Sequence, residues 1–231
     1  MAEPDDERKT VAVDGTVEDE RTPDRGVGAL MRRHSLVSFY VLAYGLSWVA
    51  WLPYVLSENG VGIWRFSFPE VLGTSQFTGM LFGAYLGPLG AAFLVTALAE
   101  GRPGLRRWGA RVFRWRVSWR WYAVALLAAP VVITIGTVVV AGTDAGLRVP
   151  PVELLALYVP FLLLQVLTTG LAEEPGWRDF ALVRHQQVHG PFLGTLILGV
   201  LWAGWHFPLF LTDWGVGVGG ASVGTLLAFT A

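Results

Sequence analysis

The chain has 231 residues, 53% hydrophobic and 15% charged, against roughly 25% charged in an ordinary soluble domain. It holds no cysteine and has a formal net charge of −1. Disulfides, thiol catalysis and Cys-ligated metal centres are excluded, and no basic domain stands apart to bind nucleic acid.

Of the 35 charged residues, 15 fall in residues 1–34, a stretch rich in Asp, Glu, Arg, Thr and Pro. Such a segment buries too little apolar surface to offset the entropy of ordering, and it is expected to be a disordered polar tail. It lacks the pattern of a signal peptide. From residue 35 onward the composition changes to a series of apolar runs, each near the roughly 20 residues a helix needs to cross a bilayer. The expected fold is therefore all-α, a polytopic transmembrane bundle over 35–231. Full spans are expected at about Leu36 to Leu56, Phe77 to Ala99, Trp121 to Ala141, Val152 to Ala172 and Pro191 to Leu211. A sixth run begins near Val216, and up to Ala231 it is too short to cross.

Between the second and third spans, residues 101–120 carry seven arginines and no acid. Positive loops stay in the cytoplasm, so the N-terminus is expected inside a cell membrane. Leu105, Trp108, Val112, Trp115 and Trp119 recur at helical spacing there, which suits a helix in the headgroup layer that anchors the topology. In the second span Gly79, Gly83 and Gly87 repeat every four residues, a groove for close helix approach.

The chemistry-bearing stretch is Leu171-Ala-Glu-Glu-Pro-Gly-Trp-Arg-Asp-Phe180, because adjacent carboxylates continue an apolar span and ionisable groups at membrane depth mark function. Arg178 stands four residues after Glu174, the spacing at which opposite charges meet on a helix. Glu173, about 100° away, is left to act as a general base in apolar surroundings. In the fifth span, His206 follows Trp202 by one turn. An antiparallel hairpin turning near His189-Gly190-Pro191 puts Glu173 and His206 each about 16 residues, or about 24 Å, from the turn. The two become level if the fourth helix continues through Phe180 to Val183, with a distortion at Pro175-Gly176.

Glu173-Glu174-Pro-Gly-Trp-Arg178 and Trp202-Ala-Gly-Trp-His206 resemble the EExxxR and FxxxH-like motifs of the CPBP intramembrane protease family, which includes CAAX prenyl endopeptidases and Abi (bacteriocin-immunity) proteins. The resemblance spans about Tyr122 to Phe210. It implies a helical hydrolase in which Glu173 is the catalytic base and His206 helps hold the water. Glu174 and Arg178 support the site, and Trp202 fills the aromatic position. The substrate implied is a peptide or membrane protein, cut near the cytosolic membrane face. The family's third motif, a His followed four residues later by Asn, is absent, since no His follows His206. On that basis the chain is expected to be truncated or short of full activity. Rival readings are a non-catalytic immunity factor or scaffold, and a proton-coupled transporter.

The family has also been described as metalloproteases. Catalytic zinc takes three protein ligands, and one His with one carboxylate falls short of that. Metal-free hydrolysis without a cofactor is the expectation, with a divalent metal the less favoured option. His185 and His189 are read as solvated histidines of the polar turn.

Overall fold

The computed structural model describes residues 26–141 and 152–215. The sixth apolar run and residues 1–25 lie outside them. Among the described residues, five helices are long and apolar enough to cross a membrane: Ser35–Leu56, Leu81–Val112, Trp119–Gly136, Ala156–His189 and Pro191–Leu211. They are referred to below as the first to fifth long helices. Much of their surface is apolar and exposed, including Val41, Val49, Phe93, Leu163 and Leu196. Helices spanning hydrocarbon satisfy their own backbone groups and turn such side chains to lipid. The protein is an all-helical, multi-pass membrane protein.

A short helix, Val27–Arg33, stands inside the stretch expected as polar tail. Met31 packs on the core, and the Arg32 guanidinium donates to the Ala99 carbonyl oxygen at 3.1 Å, docking this helix on the second long helix. The local sequence Val27-Gly-Ala-Leu-Met31 supplies enough apolar surface for that docking, although the residues before it are polar.

The first and second long helices cross through the glycine stripe. A Cβ on Gly79, Gly83 or Gly87 would fall within 2.4 Å of Tyr54, Trp51 and Ser47 respectively. The close approach lets Ser47 Oγ donate to Gly83 O (2.8 Å) and Trp51 Nε1 to Met80 O (2.8 Å). Around this seam lie the largest fully buried side chains, among them Trp51, Trp177, Trp205 and Phe39. Trp205 packs at centroid distances of 4.8 Å from Trp51 and 5.5 Å from Trp177, within the range where aromatic pairs attract.

Two prolines widen the helices they sit in. Pro88 lies in a π-helical turn, Tyr85–Leu89, and Pro175 opens a second, Pro175–Leu182, after which an α-helix runs on from Val183 to His189. Lacking an N–H, proline breaks the regular ladder, and a π turn absorbs the mismatch without ending the helix. The fourth helix thus passes through Phe180 and Val183 as expected, and turns at Gly190, whose φ of +79° favours glycine, into Pro191.

The second helix bends at Gly101 (φ +64°). Beyond the bend Leu105, Trp108 and Val112 face the protein, as the periodicity predicts. The pattern stops there: residues 114–118 are not helical, and Trp115 and Trp119 are 70% and 73% exposed. The arginines gather at this end of the bundle. Arg111 pairs with Asp179 through both carboxylate oxygens (2.9 and 3.0 Å), and Glu100 meets Arg107 at 2.8 Å and Arg184 at 3.6 Å. At the opposite end, the segment after Leu56 receives the end of the fifth helix, with Asp213 N donating to Asn59 O at 2.7 Å.

Candidate active site

Glu173 lies in a short α-helical stretch, Leu171–Glu174, between the π segments Val166–Gly170 and Pro175–Leu182, and is 8% exposed. Glu174 points elsewhere and meets Arg178 at 3.4 Å, with both side chains about half exposed. The four-residue spacing therefore sorts the two carboxylates into one buried and one at the surface.

His206 is the C-cap of the α-helical part of the fifth long helix, Pro191–Trp205, and is 6% exposed. Its Nδ1 lies 3.0 Å from the Trp202 carbonyl oxygen. A carbonyl only accepts, so Nδ1 carries the proton and Nε2 is the acceptor nitrogen of the neutral ring. Trp202 does more than supply bulk, because its Nε1 donates to Glu173 Oε2 at 2.9 Å. One tryptophan thus bridges the two motifs, touching the glutamate through its ring and the histidine through its backbone. Arg178 stacks over the same indole, with its guanidinium carbon 5.8 Å from the ring centroid.

Glu173, Trp202 and His206 share one cavity of about 660 Å³. Gln165, Thr168 and Thr169 continue its polar side, while Phe77, Met80 and Phe161 are among its apolar walls. None of these was singled out in the sequence, where they are ordinary members of apolar runs. Trp214 was also missed, and its ring stacks on His206 with centroids 5.4 Å apart and planes 11° apart.

Next to it, Asp213 lies just beyond the fifth long helix and accepts hydrogen bonds from Tyr54, Ser75 (2.7 Å) and Asn59 (3.1 Å). Partial burial alone would raise the Asp213 pKa. The bonds from Tyr54, Ser75, Asn59 and the Trp214 backbone outweigh this and hold it below the usual carboxylate range, so it stays ionised at neutral pH. An acid at a span end was the signal that could have found it.

His185 departs from the expectation of a solvated turn. The fourth helix persists to His189, so His185 faces inward, 6% exposed, with Nε2 2.8 Å from the Tyr40 hydroxyl. His189 is exposed, with its ring centroid 5.9 Å from that of His185. Among the described residues no three His, Asp or Glu side chains come together in a way that could hold a metal ion. With Glu174 turned to Arg178, Glu173 and His206 do not fit the three-ligand set of a catalytic zinc.

Depth follows from cross-helix bonds. The Tyr44 hydroxyl donates to Leu201 O, and Trp48 Nε1 to Trp205 O at 2.9 Å. His206 is therefore level with about the fourteenth residue of the first helix, roughly 20 Å from its Ser35 end. The cavity extends from there toward Gln76 and Trp214, away from the arginine-rich end.

A multi-pass helical protein that buries a glutamate and a histidine at one cavity is the class these features define. Residues 155–231 match the family described as type II CAAX prenyl endopeptidase Rce1-like. A 56-residue stretch, 24% of this chain, is 36% identical to the CAAX prenyl protease 2 of Methanococcus maripaludis and covers 20% of that protein. The match thus spans about a fifth of that relative's length. No solved structure matches. This motif-bearing third of the chain is thus similar to the Rce1-like type II CAAX prenyl endopeptidases, the CPBP group.

Proposed function

We propose that the protein is an intramembrane endopeptidase in which Glu173 activates water. The observation that carries this reading is the shared cavity, where a buried carboxylate oriented by Trp202 and an imidazole with a fixed tautomer line the same space. The Trp202 N–H engages Glu173 Oε2, leaving Oε1 as the oxygen for a water proton. His206 Nε2 accepts the water's second hydrogen and holds the nucleophile in line. As the water oxygen bonds to the scissile carbonyl carbon, its proton passes to Glu173. When the C–N bond breaks, the same proton passes to the departing amine. The apolar wall of the cavity suits a hydrophobic substrate segment. A prenylated CAAX peptide is the first substrate to test, given the similarity to the CAAX prenyl protease 2 of Methanococcus maripaludis.

The decisive assay is release of a fluorophore from a quenched farnesyl-Cys CAAX peptide and from unprenylated hydrophobic peptides, using the full-length protein in lipid vesicles. Turnover by wild type that falls at least about a hundredfold in His206→Ala supports the reading. Equal turnover by His206→Ala, or none by wild type on any peptide, overturns it and favours the non-catalytic scaffold.

Orientation is part of the proposal. The arginine asymmetry puts the N-terminus and residues 101–120 in the cytoplasm. In this fold that choice opens the cavity toward the other face, so a cytoplasmic N-terminus and hydrolysis near the cytosolic face do not hold together. Single cysteines at Ser118, beside the arginines, and at Ile63, 67% exposed at the opposite end, test this directly in a Cys-free chain. An impermeant maleimide applied to intact cells should label Ile63→Cys and not Ser118→Cys. The reverse pattern would place the cavity on the cytosolic side.

A further inference from the structure

The α-helix carrying the second motif ends at Trp205, and the chain then makes two 3₁₀ turns, Phe207–Leu211 and Asp213–Gly215. Short 3₁₀ turns have poor hydrogen-bond geometry and little persistence of their own. Here they fold the chain back so that the Trp214 ring covers one face of His206. The edges of Trp202 and Trp205 approach the same imidazole at centroid distances of 4.8 and 4.6 Å. The Nδ1 contact with Trp202 O holds one edge of the ring, and the Trp214 face stacked on it holds the plane.

What holds the turns is Asp213. Its carboxylate takes the Tyr54 hydroxyl on one oxygen and Ser75 Oγ and Asn59 Nδ2 on the other, while its backbone N–H donates to Asn59 O. These partners belong to the end of the first long helix and the segment leading to the second, which are far from His206 in sequence. Within the turn, Thr212 is fully buried, and the Trp214 backbone N–H reaches its hydroxyl at 3.3 Å.

We propose that Asp213 and Trp214 are positioning residues, a clamp and the wall it holds, that fix the His206 ring at the cavity. The clamp stands on geometry alone. Its link to turnover rests on the endopeptidase reading above.

The test uses full-length protein in nanodiscs with isotope-labelled histidine, the His206 signals being those that vanish in His206→Gln. Protons lying over an indole face are shielded, so Asp213→Ala and Trp214→Ala should move the His206 ring protons downfield, and Trp214→Phe should restore most of the shift. On the farnesylated peptide, the two alanine variants should lose about tenfold in kcat with KM nearly unchanged. A residue that only stabilises the fold would lower the melting midpoint without that split or that rescue. If Asp213→Ala does not fold, Ser75→Ala removes one donor and should give a smaller shift in the same direction. Unchanged His206 signals in the folded variants overturn the clamp. Shifted signals with unchanged kcat overturn the positioning role. If wild type turns over no peptide, the endopeptidase reading fails, and the clamp is then judged on the His206 signals.

Discussion

Glu173→Gln is expected to cut kcat by roughly 10²- to 10⁴-fold while the protein still folds, because general-base transfer supplies a factor of that size. Glutamine has the same shape, and its carbonyl oxygen can still accept the Trp202 N–H, so the 2.9 Å bond has a substitute and the cavity keeps its walls. What is lost is the oxygen that takes a proton. Glu174→Gln is the matched control one residue away. Its ion pair with Arg178 is long and half exposed, and pairs of that kind contribute about 0–1 kcal/mol, so turnover and stability should change little. Trp202→Phe keeps the bulk and removes the donor, and should fall between the two. Peptide turnover in vesicles, read beside the melting midpoint of each variant, decides. Wild-type turnover by Glu173→Gln would show that the base is another group.

The parts of this site that depend on spacing along one helix are legible in the sequence. Glu174 meets Arg178 because four residues make about one turn, and Gly79, Gly83 and Gly87 share a face for the same reason. The level placement of Glu173 and His206 at one cavity follows from counting to the Gly190 turn, once the helix is carried through Pro175.

Contacts set by how two helices rotate against each other leave no such mark. The Trp202 side-chain bond to Glu173 joins residues 29 apart, and nothing local distinguishes that indole from an ordinary aromatic in an apolar run. His185 is hidden differently: Gln186, Gln187 and His189 make its stretch read as a polar turn, while the helix continues and turns this one side chain onto Tyr40. Trp214 is placed by two 3₁₀ turns, for which the helical period predicts no direction.

Gly176→Leu should be the most damaging single change at the crossing that supports the site. A Cβ at Gly176 would lie 2.4 Å from the Pro88 carbonyl oxygen and 2.5 Å from its carbon. These are backbone atoms inside a π turn, so no side chain can rotate away, and the second and fourth helices must part. Overpacking of this kind costs about 1–3 kcal/mol, occasionally more. The strain falls three residues from Glu173 and beside the fully buried Trp177, so the Glu173 carboxylate shifts along with the seam. Even Gly176→Ala should lower the melting midpoint in detergent. Gly199→Ala is the control, since a Cβ there meets nothing within 4 Å, and surface changes of that type stay within about 0.5 kcal/mol. Equal midpoints for Gly176→Leu and Gly199→Ala would mean that the two π turns do not touch in the membrane. The alignment of Glu173 with His206 would then need another support.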